Sequence, residues 1–154
     1  MSRLSPHMDA PARLRRLPTW LLGQAALAGD RRVGEALAAE GVRKYHFRVL
    51  VALSEHGPLS QADLGRRLHI DRSDMVAVVG DLEQAGYVGR RRDPDDRRRN
   101  VVAVTGDGEA ALERMDAAVE RAQADLLAPL SAAERRELAR LLEHVISGAD
   151  RPRP

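Results

Sequence analysis

The 154-residue chain contains no cysteine. Disulfide bonds, thiol redox chemistry and cysteine-ligated metal sites are therefore excluded, and the composition is that expected in a reducing cytoplasm. Aromatic residues make up only 3% of the chain, with a single Trp and a single Phe. Because strands are enriched in aromatic residues, a core made of Leu, Val and Ala favours packed helices over a β-sandwich.

Long apolar runs and enzyme motifs are also missing. No segment approaches the ~18 apolar residues of a membrane span, and residues 1–11 lack the apolar core of a signal peptide. There is no GxSxG, HExxH or P-loop motif, and the five histidines have no paired ligand spacing. We therefore expect a cytoplasmic protein that is not an enzyme, with no membrane partner, no cofactor and no metal.

Basic residues are concentrated in one short segment, although the net charge is only +2. Residues 90–99 contain six arginines around Asp93-Pro94-Asp95-Asp96. This tetrapeptide is typical of a turn, because Pro presets φ and Asp caps the turn backbone. The β-prone runs on either side predict a hairpin whose tip carries guanidinium groups, which suit phosphates and narrow minor grooves. The alternative is a solvated, charged surface hairpin.

Helical periodicity precedes the hairpin. Apolar spacing predicts a first helix from Ala12 to Ala39, weakened or bent by Pro18 and several glycines, and a second helix from Lys44 to Glu55. Two short helices capped at Ser60 and Asp71 follow, joined by only a few residues. That arrangement is a helix-turn-helix, and the hairpin directly after it makes the winged form.

Two more helices are expected after the hairpin, from Thr105 to about Leu127 and from Ser131 onward. The apolar stripes of the outer helices are too extensive for so small a domain, so a second copy of the chain is the expected partner. The predicted fold is mainly α with a small β-hairpin wing. The predicted parts are flexible tails at 1–11 and 149–154, a helical dimerisation region at 12–40 and 105–148, and a winged helix-turn-helix DNA-binding region at 41–104.

Three segments in series resemble the MarR family of bacterial transcriptional regulators. Phe47 to Leu64 is similar to the family's second helix and the start of its helix-turn-helix, Asp71 to Val88 to its recognition helix, and Asp93 to Arg98 to its wing. The resemblance covers about residues 12–148. It implies a homodimer with interlocking terminal helices that binds palindromic double-stranded operator DNA. It also implies a repressor, less often an activator, that a small phenolic or anionic ligand releases.

The resemblance assigns roles to the wing. Arg98 matches the wing-tip arginine that enters the minor groove, and Arg97 and Arg99 flank it as phosphate contacts. Asp96 and Asp71 match acidic residues that we interpret as orienting the wing arginines, since unpaired acids would be repelled by DNA. For Asp71 a plain helix N-cap is an equally good interpretation.

Four residues of the recognition helix face away from its apolar side: Arg72, Ser73, Val76 and Ala77. The arginine suits a guanine edge, the serine a phosphate or base, and the two apolar side chains a thymine methyl group. The family often has Thr and Arg at the last two positions, so specificity here depends more on the arginine and on DNA shape, unless the register is shifted by one. Ser60 and Gln61 begin the preceding helix, where backbone N–H groups suit a phosphate, although Ser60 also fits a plain cap.

The resemblance places a ligand pocket near Trp20, Tyr45, His46 and Arg48. For Trp20 the alternative is an anchor in the dimer core. A different functional class also stays open: a sequence-tolerant DNA-binding or protein-interaction winged-helix module without a ligand.

Overall fold

A computed structural model describes residues 9–93, 96 and 100–149 of the chain. It is mainly helical with one antiparallel hairpin after two short helices, so the predicted winged helix-turn-helix is confirmed. The elements are α1 (Ala12–Arg15), α2 (Pro18–Ala39), α3 (Lys44–His56), α4 (Gln61–Leu68), α5 (Arg72–Gln84), β1 (Val88–Arg92), β2 (Asn100–Val104), α6 (Gly106–Leu126) and α7 (Ala132–Ala149).

The first predicted helix is divided in two. Pro18 occupies the first turn of α2, where its missing N–H needs no partner, and Leu17 before it is extended. The glycines inside α2 do not interrupt it. Gly29 lies against the side chain of Leu126, so that a Cβ there would be 3.4 Å from it. Packing of α2 on α6 therefore offsets the low helix propensity of glycine.

The core lies between α3, the helix-turn-helix pair α4–α5, and α6. Its largest fully buried side chains are Leu37, Leu50, Leu53, Leu64, Met75, Leu82 and Met115. Each such burial contributes roughly 1.5–3 kcal/mol against solvent exposure. The core therefore contacts one face of α4 and one face of α5, and the opposite faces of both helices are exposed to solvent.

The hairpin is held by a third extended segment. Strands β1 and β2 pair with Val88 opposite Val104. Leu59, in the loop between α3 and α4, also exchanges two backbone hydrogen bonds with Val102, at 3.1 and 2.8 Å. The base of the wing is thus tied to the entrance of the helix-turn-helix.

The start of α6 is locked to the other side of the wing. The Thr105 hydroxyl donates to the Gly86 carbonyl at 2.6 Å and accepts from the Gly108 amide at 3.0 Å. Gly108 packs so closely on the Tyr87 carbonyl that a Cβ would lie 2.0 Å from its oxygen. Only glycine fits there, and it fixes α6 against the wing base.

Candidate nucleic-acid interface

Local hydrogen bonds set the angle between α4 and α5. Ser60 caps α4, its hydroxyl accepting from the Asp63 amide at 3.1 Å. The helix ends at His69, which has a positive φ of 52°, and the Ile70 amide then donates to the Gly65 carbonyl at 3.0 Å. A Cβ at Gly65 would meet the Ile70 carbonyl at 3.0 Å. This tight turn brings α5 against α4.

The exposed face of α5 is the surface expected from the sequence. Met75, Val78 and Val79 are buried, whereas the outward residues Arg72, Ser73, Val76 and Ala77 are all exposed. Val76 keeps 53% of its surface accessible, which is high for an apolar side chain on a packed helix. The helix therefore presents a mixed polar and apolar strip to a partner.

A concavity with a volume of about 690 Å³ lies between α4 and this strip of α5. Its lining includes Gln61, Arg72 and Val76, which were predicted to contact DNA, and Asp71, which was predicted to orient the wing arginines. It also includes Arg66, which was not predicted from the sequence. The Asp71 side chain is exposed and makes no cap hydrogen bond to α5. The structure therefore places Asp71 at the N-cap position of α5 without the side-chain cap that one interpretation of the sequence predicted.

A three-residue cluster, which we call the wing clamp, joins the wing to both helices. Arg90 Nε donates to the two carboxylate oxygens of Glu83 at 2.9 and 3.0 Å, and its Nη1 donates to Gln61 Oε1 at 2.8 Å. Strand β1, α5 and α4 therefore meet at one guanidinium. The sequence shows Arg90 only as one of six arginines in the hairpin, because the pairing depends on the turn at Gly86 that brings β1 back along α5.

The remaining predicted site residues belong to the tip of the wing. Arg91 and Arg92 lie exposed on β1, and Asp96 is exposed as well. Arg97, Arg98 and Arg99 lie outside the described residues, so their predicted contacts stay predictions.

A second concavity, which we call the basic cleft, lies between α2 and α3. It has a volume of about 550 Å³. Its charged and aromatic lining consists of Asp30, Arg43, Lys44, Tyr45 and Arg48. Lys44 pairs with Asp30 at 2.5 Å, and the Arg48 guanidinium stands 5.7 Å from the centre of the Tyr45 ring. Three basic residues against one acid make the cleft suited to an anion.

The cleft collects two of the four predicted ligand residues, Tyr45 and Arg48. Trp20 lies ten residues before Asp30 on α2, roughly 15 Å away along the helix axis. His46 is 7% exposed and faces α5 instead. The structure therefore separates the predicted group into a cleft pair, a distant Trp and a core histidine.

His46 links three elements. Its Nδ1 accepts from the Arg43 backbone N–H at 3.1 Å, so the ring proton resides on Nε2, which is 3.2 Å from Asp81 Oδ2 on α5. Arg43 Nη2 donates to the same carboxylate oxygen. Burial lowers the pKa of His46, against the opposing effect of its hydrogen bond to Asp81. The hydrogen bond from His46, together with Arg43, lowers the pKa of Asp81.

Among residues 9–93, 96 and 100–149, no three His, Asp or Glu side chains are grouped so as to hold a metal ion. No described helix combines the length and apolar character needed to cross a membrane.

Comparison with known proteins identifies relatives. A family model described as MarR family matches residues 41–99. A helix-turn-helix-type transcriptional repressor of Mycobacterium bovis is 35% identical over 111 residues, 72% of this chain and 80% of that protein. A regulatory protein named for the hcr operon of Thauera aromatica is 39% identical over 106 residues, and the match spans 69% of this chain and 64% of the relative.

A solved structure extends the similarity over nearly the whole chain. BpsR of Bordetella bronchiseptica superposes on this chain with a TM-score of 0.76 at 25% identity. The DNA binding of BpsR is regulated by 6-hydroxynicotinic acid. The match covers 93% of this chain and 100% of that structure.

Proposed function

The chain belongs to the MarR family, and from that premise we propose that it is a DNA-binding transcriptional regulator, a ligand-responsive repressor that binds palindromic operator DNA as a homodimer in the bacterial cytoplasm. The observation that carries the proposal is the exposed strip of α5 beside an arginine-rich wing. A recognition helix of this kind enters the major groove, and a wing follows the backbone into the adjacent minor groove. The Mycobacterium bovis relative, a repressor, supports the same assignment.

The dimer is proposed from unpaired apolar surface. Helix α7 has no buried residue in the single chain, and Leu141, Val145 and Ile146 are 47%, 55% and 62% exposed. An apolar groove of about 760 Å³ is lined by Leu141 and Val145 together with Leu21 and Leu22 of α2. A second copy would cover this groove and place two recognition helices about one DNA turn, ~34 Å, apart.

The effector is proposed to be a small aromatic anion in the basic cleft. A carboxylate or phenolate there would receive charge-assisted hydrogen bonds from Arg48, Arg43 or Lys44, and its ring would pack on Tyr45. BpsR, a relative in fold, is regulated by an aromatic acid. The cleft lies between the dimerisation helix α2 and α3, so an occupant would touch both regions.

The decisive experiment compares two duplexes of equal length at one salt concentration. One carries the DNA upstream of the protein's own coding region, and the other is random. We expect the upstream DNA to bind at least about 10³-fold more tightly and to give a symmetric footprint. Equal affinities would favour the sequence-tolerant alternative, and no binding to either would favour a protein-interaction module.

Wing variants separate direct readout from diffuse charge. Arg98→Ala should weaken specific binding by roughly 1–3 kcal/mol, most on A·T-rich flanks, whereas Arg99→Ala should weaken all sequences alike. Asp96→Ala should also weaken binding, because its proposed role is to aim an arginine. Tighter binding of Asp96→Ala at every salt concentration would reduce the wing to a diffuse basic patch.

A further inference from the structure

Arg43 belongs to two sites at once. It is one of the residues that line the basic cleft, and its Nη2 donates to Asp81 Oδ2 on the recognition helix. Its backbone N–H holds the ring of His46, whose Nε2 lies 3.2 Å from the same Asp81 oxygen. A residue that an effector would touch is therefore also a residue that ties α5 to the turn between α2 and α3.

We propose that Arg43 changes partner when the cleft fills: an aromatic anion takes its guanidinium from Asp81, and α5 loses the charged one of its two ties to the α2–α3 turn, while the tie through His46 remains. The step is an exchange of hydrogen bonds between two anions. It rests on the proposed role of the basic cleft as the effector site, and it supplies the route by which occupancy of that cleft lowers DNA affinity.

The exposure of the pair makes the exchange feasible. The side chains of Arg43 and Asp81 are 69% and 46% exposed, so water and salt weaken their attraction. An anion that offers two oxygens to the guanidinium fork is a competitive partner. His46 stays bonded to Asp81 throughout, so the carboxylate keeps a donor after Arg43 has left. Because the pair is exposed, the change in DNA affinity that it transmits should be about two- to fivefold.

The cleft contains its own control. Lys44 and Asp30 form a second exposed ion pair in the same cleft, and this pair joins α3 to α2 and not to α5. Asp30→Asn removes the negative charge that pairs with Lys44, and Asp81→Asn removes the negative charge that pairs with the neighbouring Arg43. Only the second change also removes a tie to the recognition helix.

A test without effector uses operator DNA and a double-mutant cycle. Arg43→Gln and Asp81→Asn should each weaken binding by about two- to fivefold, and the double variant should be no weaker than either single variant. Charge counting predicts the opposite for Asp81→Asn, since it removes a negative charge from a DNA-binding protein. Tighter binding of Asp81→Asn, or multiplicative losses in the double variant, would overturn the proposal.

A test with effector uses 6-hydroxynicotinate as the probe. Calorimetry without DNA should show tighter probe binding to both Asp30→Asn and Asp81→Asn than to the parent, because each loses an anion that competes for a cleft cation. Saturating probe should then release operator DNA from the parent and from Asp30→Asn to the same degree, and from Asp81→Asn about two- to fivefold less.

The outcomes separate the two proposals. If the probe binds and lowers the DNA affinity of the parent and of Asp81→Asn equally, the partner exchange is wrong and the effector role of the cleft stands. If the probe does not bind the cleft, the effector role fails and the exchange fails with it.

Discussion

Replacing Glu83 by Gln would break the wing clamp at its charged contact while keeping the size of the side chain. Arg90 would lose one of the two carboxylate oxygens now at 2.9 and 3.0 Å, and would keep its bond to Gln61. The two charged side chains are 41% and 31% exposed, so the pair belongs with surface ion pairs, and a single Nε–H is shared between the two carboxylate oxygens. We expect the free energy of unfolding to fall by about 0.5–1 kcal/mol, and Tm by roughly 1–4 °C.

Whether Glu83→Gln raises or lowers the DNA affinity is the stronger test of the wing clamp. Removing a carboxylate near DNA should tighten binding to any sequence if only charge matters. If the clamp sets the angle between wing and recognition helix, Glu83→Gln should instead weaken operator binding by about two- to fivefold, with less effect on random DNA. Fluorescence anisotropy at several salt concentrations measures both quantities.

A control lies on α7, where Glu137 accepts from Nε and Nη2 of Arg140, at 2.8 and 2.7 Å, within a single helix. Glu137→Gln removes the same charge without touching the wing clamp, so it should leave operator affinity unchanged. Operator binding by Glu83→Gln that is tighter than the parent's at every salt concentration would refute the clamp.

Three further predictions concern packing, pH and assembly. Gly108→Ala should destabilise the fold by about 3 kcal/mol or more, because its Cβ would lie 2.0 Å from the Tyr87 oxygen, whereas Gly106→Ala meets nothing within 4 Å and should be nearly neutral in thermal melts. Burial holds the pKa of His46 below 6.5, so on acidification the unfolded chain takes up the proton before the folded chain does. The free energy of unfolding should therefore decrease as the pH is lowered past about 6.5. In melts recorded from pH 7.5 to 5.5, His46→Gln should make this decrease smaller. Leu141→Asp should give an aggregated or unfolded chain, and light scattering that found the parent as a folded monomer at micromolar concentration would contradict the dimer.

Features encoded within a few residues were predictable from the sequence. The side chains of Ser60 and Thr105 cap α4 and α6, and Ser131 and Glu134 form a capping box at the start of α7. Each of these helices starts where the sequence predicts it. The break at Pro18 was expected as a bend and is an interruption. These features depend on interactions three or four residues apart, so a single sequence contains all the partners involved.

Features that depend on distant partners were not predictable in the same way. The pairing of Leu59 with Val102 joins segments 43 residues apart, and the contact of Gln61 with Arg90 spans 29. Neither residue type nor spacing identifies such a contact, because it exists only after α5 and β1 have turned back on α4. In the sequence Arg90 is one of six arginines of the hairpin, and only the fold shows that it has an acidic partner, Glu83, on α5.

Helix α3 shows how one element can serve the cleft and the recognition helix together. Residues 45 and 48 are three apart and share a face, as helical geometry requires, and that face lines the basic cleft. His46 shares its face with Val49, Leu50 and Leu53, at spacings of three, four and seven, and that face is buried. Arg43 caps the helix at the edge between the two faces. An anion bound on the cleft face therefore lies one side chain away from Asp81, so the proposed signal reaches α5 through a single residue and needs no rearrangement of the helices of the proposed dimer.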